Sequence, residues 1–174
     1  YLGKNNEKEI DRVHADGLKI SSESPECLDE PYWINKVYKK KFFGKILKPH
    51  SVTKESLRGY VYLLDRFLKI ENKKRILIKN NNQHLRIISL SNFLPNSKFL
   101  IIFRDPISHA TSLLNLHKRL INLQIKNPYL LEYMNLIGHW EFGKGRKPFI
   151  YKKYQENSLK LIDDLNINYW LKQW

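Results

Sequence analysis

Lys98 to Ser112 reads KFLIIFRDPISHATS. The apolar run Phe99 to Phe103 suits a buried strand. Asp105 and Pro106 then open a helix, the aspartate as N-cap and the proline in the first turn, where its missing N–H costs nothing. Ala110, Leu113, Leu114, Leu116 and Leu120 recur at helical steps and predict a core-facing stripe that reaches about Ile125. Asn127-Pro128 ends it.

The pattern repeats upstream. RILIK, residues 75–79, reads as a first strand, the polar turn Asn80–Asn82 follows, and a helix is expected from Gln83 to Leu94. The order strand, helix, strand, helix predicts an α/β layer, a parallel sheet flanked by helices. In such a sheet both strands end at the edge where ligands usually bind. Lys79 and Arg104 are therefore expected to face one crevice, and two cations beside a helix N-terminus make an anion site. Ser108 and Ser112, four residues apart, share a helix face. From there Ser112 is placed to donate to the oxyanion that Arg104 grips as a fork. The plainer alternative makes Ser112 a small residue at a helix–sheet contact and Arg104 the cap of a surface turn.

The rest of the chain organises around this core. Residues 1–53 form a loop-rich segment with a short aromatic helix over Tyr32 to Phe43. Thr53 is set to N-cap a helix from Lys54 to about Ile70, with Leu57, Val61, Leu64, Phe67 and Leu68 on its apolar face. Residues 126–174 read as helical, with one helix over Tyr129 to Trp140 and another from about Gln155. One domain of 174 residues is expected, divided as 1–53, 54–125 and 126–174. The polar start and the aromatic, uncapped end read as a piece truncated at both ends.

A formal net charge of +14 points to an anionic partner, nucleic acid or a phosphate- or sulfate-bearing small molecule. The single cysteine, Cys27, excludes an internal disulfide, and with no N-x-[ST] acceptor it leans towards a cytoplasmic setting. No apolar run approaches the roughly 20 residues of a membrane span.

Taken together, a strand, then Arg104-Asp105-Pro106, then Ser112 eight positions after the arginine resembles the 3′-phosphate-binding motif of sulfotransferases that use 3′-phosphoadenosine-5′-phosphosulfate. The similarity covers Arg75 to about His117 and extends loosely to YMNLIGHWEFG and NYWLKQW. It implies a P-loop-like α/β fold, 3′-phosphoadenosine-5′-phosphosulfate as co-substrate, and Arg104 and Ser112 as ligands of its 3′-phosphate. One departure is plain. The family's Gly/Ser/Thr-rich loop for the 5′-phosphosulfate has no counterpart: Gly17 and Gly44 stand alone, and Gly143-Lys144-Gly145 precedes no Ser/Thr pair.

Sulfuryl transfer is an in-line displacement onto a hydroxyl or amine of a small molecule or glycan. It needs charge neutralised on the leaving phosphate and a base for the acceptor's proton, but no metal. Glu30, in SPECLDEPYW, is the first candidate base and His84 the second. Lys79 is expected to balance charge, and Arg146 and Lys147 of the loop GHWEFGKGRKPF to close over the nucleotide. His139 and Glu141, flanking Trp140, lie within reach of an acceptor in the same scheme. Two other readings stay open. A basic nucleic-acid-binding module suits the charge and aromatics, although the lysines are scattered and no binding signature appears. A P-loop-type phosphotransferase suits the element order but leaves Ser112 without a reason.

Overall fold

The structure is a computed structural model that describes residues 9–11, 19–21, 29–34 and 44–173. Cys27, Gly17 and most of the helix expected over Tyr32 to Phe43 lie outside these residues. The described chain runs β1 (Glu9–Asp11), β2 (Lys19–Ser21), α1 (Glu30–Tyr32), α2 (Lys54–Ile70), α3 (Ile87–Phe93), α4 (Pro106–Lys126), α5 (Pro128–Ile137), α6 (Lys153–Lys160) and α7 (Ile167–Gln173). A 3₁₀ turn, Gln83–Leu85, precedes α3.

The parallel sheet is absent, which overturns the expected α/β, P-loop-like fold. Among the described residues, strand pairing is limited to the antiparallel ribbon β1–β2 and an isolated parallel bridge between Leu47 and Phe149. Segments 75–79 and 98–103 are not strands, and neither makes a backbone hydrogen bond among the described residues. Leu77 is 97 % exposed, Leu100 86 % and Ile102 82 %.

The physical reason lies between them. The crossover between two parallel strands usually carries an α-helix that packs on the sheet. The stretch expected to be helical from Gln83 to Leu94 instead breaks at Arg86, whose backbone leaves the helical region (φ −128°, ψ 11°). Its side chain turns inward to Glu30. Only one 3₁₀ turn and a seven-residue α3 remain.

The helices themselves follow local chemistry closely. Thr53 caps α2 by accepting from the Ser56 N–H at 3.2 Å, and Leu57 and Tyr60 face inward. Asp105 caps α4 by accepting from the Ser108 N–H at 2.7 Å, with Pro106 in the first turn. Ala110, Leu116 and Leu120 are buried as their spacing predicts, and His117 and Gln124 share that buried side. α5 stops at Ile137, short of the expected Trp140, because Gly138 adopts the left-handed conformation (φ 77°) that closes helices.

Two apolar cores result among the described residues. One gathers Trp33, Leu47, Leu57, Tyr60, Leu85, Leu90 and Trp140. The other gathers Ala110, Leu116, Leu120, Met134, Phe142 and Ile150 with residues of α6 and α7. The loop after α5 feeds both, Trp140 into the first and Phe142 into the second.

Candidate functional site

The turn Asn80–Asn82 and the loop 138–141 meet over α1, and this junction holds most of the candidate residues. Glu30 is fully buried and pairs with the buried Arg86, whose guanidinium also lies 4.7 Å from the centre of the Trp33 ring. Asn80 bridges the two acidic residues of α1's start, its Nδ2 donating to Asp29 Oδ1 at 2.9 Å and to Glu30 Oε2 at 2.7 Å. The Tyr60 hydroxyl donates to Asp29 Oδ2 at 2.9 Å. Burial and the Asp29 charge push that phenol well above its ordinary pKa. Asn82 Nδ2 donates to the Gly138 carbonyl at 2.8 Å, which ties the turn to the loop.

Across this junction sits Glu141, buried, with burial pushing its carboxyl pKa up against the opposing pull of His139, Asn81 and Lys79. His139 Nδ1 lies 3.6 Å from Glu141 Oε2, close enough for charge but beyond a hydrogen bond. Lys79 is therefore brought to the same place as His139 and Glu141, with its own side chain exposed. His84, just past the turn, stacks edge-on to Phe149 at 4.7 Å. Burial holds its pKa down at about 4, so the ring is neutral at pH 7. Its Nε2 is buried with no hydrogen-bond partner.

The two basic residues of the loop part company. Lys147 Nζ lies over the Trp140 ring at 4.2 Å, beside the junction. Arg146 points to the second core, where its Nε donates to Asp164 Oδ2 at 2.8 Å and its guanidinium covers the Tyr169 ring and bonds the hydroxyl. That Arg146 lines a mostly apolar cavity of about 110 Å³ with Ile46, Ile150, Leu159 and Tyr169. Arg104 and Ser112 lie apart from both, exposed at the N-terminal end of α4. Neither side chain makes a hydrogen bond or ion pair among the described residues. Asp105 beside them has its pKa lowered chiefly by the Ser108 backbone N–H and, to a lesser degree, by Arg104.

Comparison with protein-family models, curated proteins and solved structures finds no match to this chain.

The junction thus unites Glu30, Lys79, His84 and Lys147 but not Arg104, Ser112 or Arg146. Sequence reasoning passed over Arg86, Asn80, Asn82 and Tyr60, which complete the polar network. Arg86 carried a signal: a lone arginine inside the apolar run HLRIISL must either escape to water or find a buried acid. The Asn80–Asn82 turn carried none, since asparagines mark turns whether or not they bind anything. Among the described residues, no group of three or more His, Cys, Asp and Glu side chains gathers as metal ligands would. No helix among them is long and apolar enough to cross a membrane.

Proposed function

We propose that the chain transfers a sulfuryl group from 3′-phosphoadenosine-5′-phosphosulfate to a hydroxyl or amine acceptor, with Arg104 and Ser112 holding the 3′-phosphate. The carrying observation is the state of α4's N-terminus. The Asp105 carboxylate is engaged in capping, while Arg104 is exposed with no ion pair among the described residues and Ser112 stands exposed two turns on. A cation at the positive end of a 21-residue helix is in an unfavourable field, and a phosphate monoester relieves it from two directions. The +14 net charge of the chain draws such a dianion in.

The acceptor's proton needs a base, and burial separates the two candidates. Glu30 is saturated by Arg86 and Asn80. His84 stays the candidate base because its ring is neutral and its Nε2 uncommitted, although the burial that lowers its pKa to about 4 also makes it a weak one. Lys79, exposed beside the junction, offers charge for the sulfuryl oxygens.

Calorimetric titration tests this directly. Adenosine 3′,5′-bisphosphate should bind and AMP should not. Arg104→Ala should weaken the bisphosphate about tenfold or more, the worth of a charge-assisted fork, while Lys73→Ala leaves it unchanged. Equal losses in the two variants, or preference for a short oligonucleotide with steep salt dependence, would overturn the assignment.

A further inference from the structure

α4 carries no carboxylate in its 21 residues. Its buried side is set by Ala110, Leu116, His117, Leu120 and Gln124. Asn115, Arg119, Asn122 and Lys126 follow one another at steps of four, three and four residues, so they form a line on the opposite side, and all four are exposed. Lys118, also exposed, flanks that line. Lys118, Arg119 and Lys126 make no ion pair among the described residues. Solvated helix faces usually intersperse acids with bases, because pairs of opposite sign one turn apart stabilise them. α2 and α6 do so: Lys69 pairs with Asp65 at 2.6 Å, and Lys160 with Glu156 at 3.0 Å. The stripe on α4 is left with amides and cations.

We propose that an acidic polysaccharide lies along this stripe, its carboxylates or sulfates on the cations and its hydroxyls on the amides. The inference rests on the sulfuryl-transfer reading in one respect: it makes that polysaccharide the acceptor, running on from Ser112 at the head of the same line. Charge density selects the occupant. Asn115 to Lys126 spans about 16 Å of helix, and the cations on it are Lys118, Arg119 and Lys126. Duplex nucleic acid carries a charge about every 1.7 Å, far denser than the stripe can neutralise. Single strands are gripped by stacking on aromatic rings, and the stripe has none. An extended acidic polypeptide is dense as well, at about one charge per 3.4 Å. An acidic glycan spaces its charges by whole sugar rings and fills the intervals with hydroxyls. Asn115 and Asn122 can both donate to such hydroxyls and accept from them.

The probe is a fluorescein-labelled hyaluronan hexasaccharide, which carries a carboxylate on alternate sugar rings. It is titrated into the whole chain by anisotropy, against labelled chitohexaose, an uncharged glycan of equal length. The acidic glycan should bind about tenfold more tightly at low salt, the worth of a few exposed charge contacts. Arg119→Glu with Lys126→Glu should abolish that preference. Both positions are exposed, so the helical circular dichroism should stay unchanged. If that pair fails to fold, Arg119→Gln with Lys126→Gln should show the same loss. Lys73→Glu with Lys74→Glu alters the net charge equally outside α4 and should keep most of the preference. Equal binding of the two glycans, equal losses in the two charge-reversed pairs, or tighter binding of an oligothymidylate or of polyglutamate overturns the proposal. Titration with adenosine 3′,5′-bisphosphate separates this inference from the reading beneath it. Acidic glycan bound through α4 without the bisphosphate keeps the glycan surface and removes sulfuryl transfer. Bisphosphate bound without the glycan sinks the stripe alone.

Discussion

At position 86 a guanidinium sits 1 % exposed, held by the Glu30 carboxylate, by Gln83 Oε1 at 2.8 Å and by the face of Trp33. Removing one member of a buried ion pair leaves the other as an uncompensated charge, which costs far more than the pair itself contributes. Arg86→Ala should therefore destabilise the chain by about 3–5 kcal/mol in urea denaturation. Exchanging both partners for apolar residues of similar size, Arg86→Met with Glu30→Leu, should restore most of that loss. A cost near zero for the single substitution would show that the pair does not hold α1 against the Asn80–Asn82 turn. The same reasoning changes what a Glu30→Gln variant reports. Lost turnover in that variant would measure a loosened junction before it measured a missing base.

The elements whose instructions lie within a few residues were legible in the chain. Thr53 with Ser56, and Asp105 with Pro106 and Ser108, write their helix starts into consecutive positions, and α2 and α4 begin where those residues stand. Segments 75–79 and 98–103 were misread because apolarity measures what a strand would need, while pairing depends on a neighbour elsewhere in the chain. The inward turn of Arg86 is likewise a tertiary event, invisible until Glu30 is nearby. Of the candidate site, Glu30, Lys79, His84 and Lys147 were named from sequence. Their gathering could not be, because it runs through Asn80, Asn82 and the loop after α5. The end of α5 was missed by three residues for a related reason: Gly138 serves as both cap and contact. A Cβ there would lie 2.5 Å from Glu30 Cγ and 3.0 Å from Ile34 Cδ1, on a backbone at φ +77°. Gly138→Ala should thus cost about 2–4 kcal/mol, left-handed strain plus overpacking. The comparison is with Ser91→Ala in α3, an exposed position expected to change stability by less than about 0.5 kcal/mol. Similar midpoints for the two variants would mean that the loop moves off Glu30 at little cost.

Across the whole molecule, the loop after α5 joins the two cores, and a neutral histidine fastens it. The Gly143 N–H donates to His117 Nδ1 at 3.0 Å, so that nitrogen must keep its lone pair. Nε2 then carries the hydrogen, 3.5 Å from Asp164 Oδ1, and the ring packs on Trp170 at 5.2 Å. Burial lowers the His117 pKa, Arg146 lowers it further, and Asp164 and Asp163 pull it back in part. His84, on the first core, is lowered in the same way to about 4. For both groups the unfolded chain binds a proton more readily than the folded one. Their contribution to stability is therefore complete above the ordinary histidine pKa of about 6.5 and declines as pH falls towards the depressed folded values. Glu141 opposes them, because its raised pKa makes the folded state the better proton acceptor as the solution is acidified. The histidines' share of the urea midpoint should therefore drop between pH 6.5 and 4, against the opposite contribution of Glu141. His117→Asn offers an acceptor oxygen to the Gly143 N–H without a titrating ring, and should flatten part of that decline while costing stability at pH 7.5. An unchanged pH profile in His117→Asn would mean that protonation of this ring does not release the loop, and that the two cores are coupled by packing of Trp140 and Phe142 alone.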